Sequence, residues 1–477
     1  MASPIKFGTD GWRGLIAEDF TCDRLAEVAP VAAQVLSQLD TTGTRKIIVG
    51  YDRRFMAEEF ARVTAESVCN FGFDVDLADT YAPTPAFSWI AHDQKALGAL
   101  VITASHNPGG YSGLKVKGGF GGSVSPEVTQ KIEALLATPA SFPATEPGRL
   151  QSINPWQTGY CEALTAHVDL EIIRAAIAAG RLTVFVDVMH GATAGGMETL
   201  LGVPIHELNS HRDPLFGGGA PEPLPKYLSY LCRQIRTHQH HHPQGLAVGL
   251  VFDGDGDRIA AVDSQGNFLS SQILIPILIE HLVTRRGMGG EIIKTVSGSD
   301  LIPRIAELYQ LPLFETPIGY KYIADRMLTS PVLLGGEESG GIGYGHHIPE
   351  RDALLSALYL LEAIAQSGED LGQLYQNLQA QTHFSSAYDR IDLPLANMTV
   401  RSQLLQKLQT QPLTTLAGQA VTDCLTIDGF KFRLLDGSWL MIRFSGTEPV
   451  LRLYCEAATL EQVHQLLNWA KDWATCG

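Results

Sequence analysis

The chain has 477 residues, which at ~150 residues per domain predicts three or four domains. Its apolar content of 45% is enough for sizeable cores, and 35 basic against 51 acidic residues leave a formal charge of −16. That balance excludes general nucleic-acid binding and attraction to an anionic membrane, so an anionic small molecule must be held by cations gathered locally.

Along the chain, short Val/Ile-rich runs alternate with longer stretches of helical spacing. KIIVG (46–50), GALVITA (98–104), TVFVDVM (183–189), LAVGLVF (246–252) and PVLLGG (331–336) predict strands, and 57–72 and 171–180 predict helices between them. Strand–helix alternation of this kind predicts α/β layers. The segment 138–155, with Pro139, Pro143, Pro147 and Pro155, reads as a linker, and 211–225 as a Pro/Gly-rich loop inside a domain. HQHHH at 238–242 reads as a surface loop rather than a metal site, and His346 and His347 receive no role. The last part differs: 430–437, 438–444 and 450–457 predict an antiparallel sheet, followed by a helix at 460–474 with a Thr459/Gln462 capping box. A smaller α+β domain is therefore expected from about residue 384. The start, MASPIKFGTDGWRG, carries no basic-then-apolar leader, and the apolar run at 273–283 is too short to span a bilayer. Seven scattered cysteines without a C-x-x-C pair favour neither a disulfide framework nor a zinc site. Together these predict a cytoplasmic protein with no membrane and no nucleic-acid partner.

Four loops carry residue types suited to chemistry. TASHNPGGYSGLKVKGG (103–119) follows a buried-type strand, so Ser105 lies at a strand's carboxyl end, where α/β sheets bind ligands. Ser105 is a candidate nucleophile with His106 and Lys115 as partners, although Ser, Asn, Pro and Gly also make ordinary turns. In VFDGDGDRIAAV (251–262), Asp253, Asp255 and Asp257 repel one another unless a cation lies among them, and oxygen-only ligands suit Mg²⁺. An EF-hand is excluded, because Arg258 and Ser264 stand where Gly and Glu belong. The same D-x-D-G run has a haloacid-dehalogenase-type phosphatase as a rival reading, with Asp253 as nucleophile. GGEESGGIG (335–343) offers Glu337, Glu338 and Ser339 as partners for sugar hydroxyls, and a plain Gly-rich turn accounts for it equally. In MIRFSGTEPVLRLY (441–454), the turn Ser445-Gly446-Thr447 can cup an anion between Arg443 and Arg452. Arg13 in FGTDGWRG (7–14) can reach a phosphate or serve the fold.

In order and spacing, TDGWRG, TASHNP, DGDGDR, GEESGG and RFSGTEP resemble the α-D-phosphohexomutase superfamily, which includes phosphoglucomutases and phosphomannomutases. The resemblance covers essentially the whole chain. It implies three related α/β domains with mixed sheets between helices and a C-terminal α+β, TATA-binding-protein-like domain around a central cleft. The expected boundaries are 1–150, with the phosphoserine loop, 151–267, with the Mg-binding loop, 268–383, with the sugar-binding loop, and 384–477, with the phosphate-binding loop. It further implies that Ser105 becomes phosphorylated and that Asp253, Asp255 and Asp257 hold one Mg²⁺ together with it. By the same resemblance Glu337 and Ser339 hold sugar hydroxyls, and Arg443, Ser445, Gly446 and Thr447, with Arg452, grip the non-reacting phosphate. Arg13, His106, Lys115 and Arg258 match cleft residues, with Lys115 similar to the general base, and Gly319, Tyr320 and Lys321 lie in the loop that distinguishes sugar orientations.

The implied activity interconverts hexose 1- and 6-phosphates, of glucose or mannose, through the phosphoserine and a hexose 1,6-bisphosphate, with little covalent help and much charge neutralisation. Gly341, where several subfamilies place His, points away from a phosphoglucosamine mutase. Ser112 stands where many relatives have Asn. The same residues suit a glucose 1,6-bisphosphate synthase that rephosphorylates Ser105 from a donor such as fructose 1,6-bisphosphate. Glucose 1,6-bisphosphate is thus an activator in one case and a product in the other. A catalytically dead sugar-phosphate sensor would have lost Ser105 or the aspartates, and it has lost neither.

Overall fold

The computed structural model describes residues 4–8, 10–137, 146–446 and 448–476. Four sheets follow one another along the chain. The first is mixed and seven-stranded, in the order Phe7–Gly8, Gly11–Leu15, Tyr111–Gly118, Gly98–Ile102, Lys46–Tyr51, Asp74–Ala78, Leu150–Ile153. The second orders Phe268–Leu269, Ile259–Val262, Leu246–Phe252, Leu182–Asp187 and His206–Leu208. The third orders Leu313–Thr316, Glu291–Thr295, Val332–Gly336 and Ile342–Gly343.

These three sheets share a device that positions the site. In each, a buried strand (Gly98–Ile102, Leu246–Phe252 or Val332–Gly336) runs parallel to one neighbour. Its chain then turns back at the carboxyl end and pairs antiparallel with itself. Covered on both faces, these strands are apolar throughout rather than alternating, which is why they stand out in the sequence. The loop at each reversal is one of the candidate loops. The fourth sheet is antiparallel throughout, and the reversal between Trp439–Phe444 and Val450–Ala457 carries the last loop.

Several elements differ from expectation. The proposed linker 138–155 lies partly outside the described residues, and its end is the strand Leu150–Ile153, which extends the first sheet beside Asp74–Ala78. The histidine run at 238–242 is not a loop. It completes the helix Ser229–His241, which forms because Leu231 and Ile235 lie four apart and bury one stripe against the second sheet. His346 and His347 pack edge-on to His167, where the second and third units meet. The final sheet has six strands rather than three. The early ones (Ala387–Pro394, Gln419–Leu425) alternate too weakly in burial to show in sequence. The capping box forms as expected, with Gln462 N donating to Thr459 Oγ1 (3.3 Å) and Thr459 N to Gln462 Oε1 (3.2 Å). No described helix is long and apolar enough to cross a membrane.

The last unit is tied to the third by a buried polar network. Glu456 accepts from Trp439 Nε1 (2.7 Å), Asp300 N (2.8 Å) and the hydroxyls of Ser299 and Ser386. Lys431 lies over the Trp439 ring and donates to Val296 O (3.0 Å) and Asp300 (3.1 Å). Burial and the nearby Lys294 push Lys431 down to about 8, against the pull of Asp300.

Candidate active site

The loop at 103–110 places Ser105 in the left-handed region (φ 52°), a conformation that costs a non-glycine residue about 1–3 kcal/mol and persists only when its surroundings fix it. Here the fixing group is Arg54. Its buried guanidinium donates to the carbonyls of Ser105 (2.5 Å), Asn107 (2.8 Å), Tyr111 (3.0 Å) and Pro108 (3.1 Å), and Nε pairs with Asp52 (3.1 Å). Asp52 also accepts from the Thr103 hydroxyl (2.7 Å), whose oxygen accepts from Ser105 N (2.9 Å). The Pro/Gly-rich segment 211–225 packs on this loop, with Phe216 beneath Arg54.

The Asp loop meets the serine loop backbone to backbone. At Gly254 a Cβ would collide with the Ser105 carbonyl, so only glycine permits the approach. Ser105 Oγ then donates to Asp253 Oδ2 (2.9 Å). One oxygen each from buried Asp253, Asp255 and Asp257 lies within 4.8 Å of the others. Strand alternation turns Gly113, Lys115 and Lys117 to one side of Tyr111–Gly118, away from Ser112, Leu114 and Val116. Lys115 Nζ reaches Asp10 (2.7 Å), Asp255 (2.8 Å) and Asp257 (2.8 Å). Burial disfavours the Lys115 charge, but these three carboxylates outweigh it and raise its pKa. Lys115 makes no ion pair with Asp253. Burial, with the repulsion of Asp257 and Asp255, holds it well above the usual carboxylate range. Two carboxylate oxygens, Asp255 Oδ1 and Asp257 Oδ1, are buried without any hydrogen-bond partner. Buried anionic oxygens without a donor are costly unless a cation takes them, and an all-oxygen set suits a hard divalent ion.

Cations surround Ser105. Arg13 Nη1 donates to Asn107 Oδ1 (2.5 Å), and the Arg258 guanidinium lies beside the aspartates, with Nε 3.9 Å from Asp257 Oδ1. His106 Nδ1 lies 3.3 Å from Ser105 Oγ. Arg258, then burial and Arg13, hold its pKa well below the usual imidazole range, so the ring is neutral.

The sugar-loop candidates divide. Glu337 is buried beside Arg351 and accepts from Gly319 N (3.1 Å), while Ser339 lines a cavity of about 310 Å³ between the second, third and fourth units. Glu338 turns to the last unit and pairs with Arg390 (3.1 Å). Gly319 has φ 135°, which glycine alone accommodates. Tyr320 is not on the open face but in a core cluster, with Arg351 stacked on its ring, and Lys321 lies half-buried over Tyr322. In the last loop Arg443 and Arg452 are direct cross-strand neighbours, a like-charge pairing that is unfavourable without an anion between them. Ser445 N is already committed to Val450 O (3.0 Å), Gly446 is exposed, and Thr447 lies outside the described residues.

Sequence reasoning missed the residues that join the loops. Arg351 pairs with Asp257 (2.6 Å) and Asp10 (2.8 Å), and Thr84 Oγ1 donates to Asp255 (2.6 Å). Asp428 accepts from Arg443 Nε (3.1 Å) and Ile318 N (3.0 Å).

Three α/β sheets whose reversal loops join at a serine, three aspartates and several arginines, followed by an antiparallel sheet, define a phosphosugar-transforming enzyme architecture. The chain belongs to the phosphoglucomutase/phosphomannomutase family, matching its α/β/α domain I over residues 4–141, domain II over 158–266, domain III over 270–382 and the C-terminal domain over 397–468. It is 28% identical over 470 residues to a phosphoglucomutase/phosphomannomutase of Thermococcus kodakarensis, covering 97% of this chain and 96% of the relative. It is equally 28% identical, over 483 residues, to a phosphoglucosamine mutase of Limosilactobacillus reuteri, covering 98% and 97%. A crystal structure from Thermus thermophilus assigned as a phosphomannomutase superposes with a TM-score of 0.85 at 32% identity over 100% of both chains. The relatives are mutases, and the chain is an enzyme of the phosphohexomutase type.

Proposed function

We propose that the protein interconverts hexose 1-phosphate and hexose 6-phosphate, glucose first and mannose second, through a phosphoserine at Ser105 and a hexose 1,6-bisphosphate. One observation carries this reading: Ser105 Oγ stands 2.9 Å from an aspartate of a buried triad that leaves two oxygens without a hydrogen bond. Asp253, Asp255 and Asp257, with the Ser105 oxygen, fit one Mg²⁺. When bound, the ion supplies Lewis-acid withdrawal of charge from phosphoryl oxygens.

The protein's own groups supply the rest. Arg13 and Arg258 neutralise the phosphoryl group, and neutral His106 orients the Ser105 oxygen. Lys115 Nζ keeps its proton while three carboxylates surround it. The general-base role that the family resemblance gives it requires those carboxylates to be engaged elsewhere. Glu337 and Ser339 hold the sugar, Gly319 and Lys321 border it, and Tyr320 supports Arg351 from beneath. Arg443 and Arg452, with Ser445, Gly446 and Thr447, hold the phosphate that is not reacting, which is either end of the sugar in turn. Arg390, set between Glu338 (3.1 Å) and Glu222 (3.9 Å), holds the last unit against the second and third and so favours retention of the bisphosphate.

Phosphorus NMR tests the proposal. With glucose 1-phosphate and a trace of glucose 1,6-bisphosphate, rapid appearance of glucose 6-phosphate is expected. Mannose 1-phosphate and glucosamine 1-phosphate in parallel rank the sugars. With glucose 6-phosphate and abundant fructose 1,6-bisphosphate, accumulation of glucose 1,6-bisphosphate beside slow isomerisation would instead establish a bisphosphate synthase.

A further inference from the structure

The phosphate grip and the loop at 316–323 lie on different units, yet one carboxylate touches both. Asp428 Oδ2 accepts from Arg443 Nε at 3.1 Å and from Ile318 N at 3.0 Å. The next amide, Gly319 N, donates to Glu337 Oε1 at 3.1 Å. Glu337 faces Arg351 (3.8 Å), which pairs with Asp257 (2.6 Å). The turn that carries Asp428 is fixed against Arg443, because Gly429 (φ 93°) leaves no room for a Cβ beside the Ile442 carbonyl and Arg443 Cα. The Ile318 side chain is separately anchored beside Val296, Trp439 and Met441. Asp428 therefore steers the 318–319 backbone without being needed for that segment to pack.

We propose that Asp428 is a positioning residue that couples occupancy of the Arg443 phosphate site to the placement of Glu337 against the sugar. The proposal rests on the reading of Arg443 as a phosphate ligand. An arriving phosphate competes with Asp428 for the Arg443 guanidinium. As Arg443 turns to the phosphate, the Asp428 charge is left to the Ile318 amide, and the 318–319 backbone tightens on Glu337. A sugar without its distal phosphate then meets a less ordered Glu337, so binding of the remote group contributes to the chemical step.

The test uses the full-length enzyme, inorganic phosphate as probe, and Asp428→Asn, Asp428→Ala and Arg443→Gln. Hydrogen exchange of the 316–320 amides is expected to slow several-fold on saturation with phosphate in the wild type, and not in Asp428→Ala or Arg443→Gln. Asp428→Asn still accepts from Ile318 but no longer pairs with Arg443. It should bind inorganic phosphate more tightly and show a lower KM with a modestly lower kcat. Asp428→Ala should lose about tenfold or more in kcat, since misplaced groups cost that order. Phosphate-induced slowing that is absent in the wild type, or persists in Asp428→Ala or Arg443→Gln, would overturn the coupling. A raised KM with unchanged kcat in both Asp428 variants would do the same. If the wild type turns over no hexose phosphate, the functional reading fails, and the exchange measurement alone then decides the coupling.

Discussion

Arg54→Met is expected to cost about 3–5 kcal/mol of stability in the first unit, the usual result of removing one partner of a buried ion pair, and to lower kcat by about 10²-fold. The side chain is buried and holds four carbonyls of the Ser105 loop. Burial already pushes Asp52 up to about 6 against the pull of Arg54, and without that arginine Asp52 takes up a proton. The loop then loses the contacts that keep Ser105 at φ 52°, and its oxygen no longer faces Asp253. Faster hydrogen exchange across 103–111 reports the loop directly, which is preferable to one global unfolding energy for a four-unit chain. The double variant Arg54→Met/Asp52→Asn removes the carboxyl group that must otherwise be protonated once its partner is gone, so it should recover much of the thermal stability and none of the kcat. Recovery of both would reduce Arg54 to a structural role.

Asp255→Asn is expected to lower kcat by about 10³-fold, equivalent to the several kcal/mol that a Lewis-acid cation supplies. Asp255 accepts from Lys115 and Thr84 through Oδ2 and leaves Oδ1 unpartnered, so the amide keeps the shape while removing one anionic ligand. The removed charge relieves repulsion on Asp253 but also takes a carboxylate from buried Lys115, whose pull holds Asp255 below the usual carboxylate range against its burial, so the metal-free variant should be less stable than the metal-free wild type. Thermal denaturation with and without Mg²⁺ separates the two effects: added metal raises the wild-type midpoint and leaves that of the variant unmoved. An equal Mg²⁺ shift in both would remove Asp255 from the cation site.

What the sequence disclosed was local. Gly98–Ile102 and Leu246–Phe252 are legible because a strand buried on both faces must be apolar throughout, and the residues that follow such strands mark where ligands bind. The joining residues were not legible. Asp10 and Arg351 meet across 341 residues, and no pattern within a window of one element reports such a pair. Arg54, in the run YDRRF, reads as polar punctuation after a strand, although it is among the largest fully buried side chains. Asp428 sits in TIDGFKF, where Asp-Gly is ordinary turn chemistry. The histidine run misled for a related reason: its polarity describes the exposed face of a helix whose register is set by Leu231 and Ile235. The family motif sets Tyr320 in the loop that distinguishes sugar orientations, whereas the start of the Tyr320–Met327 helix turns its ring into the core.

The most direct test of the central claim is the mass of the intact protein after incubation with Mg²⁺ and glucose 1,6-bisphosphate, followed by a chase with glucose 1-phosphate. A single added phosphoryl group that maps to Ser105, exchanges an isotopic label carried in from the bisphosphate for unlabelled phosphate during the chase at a rate no slower than turnover, and never forms in Ser105→Ala is the predicted result. A phosphoryl group carried on Asp253, or turnover undiminished in Ser105→Ala, would contradict it.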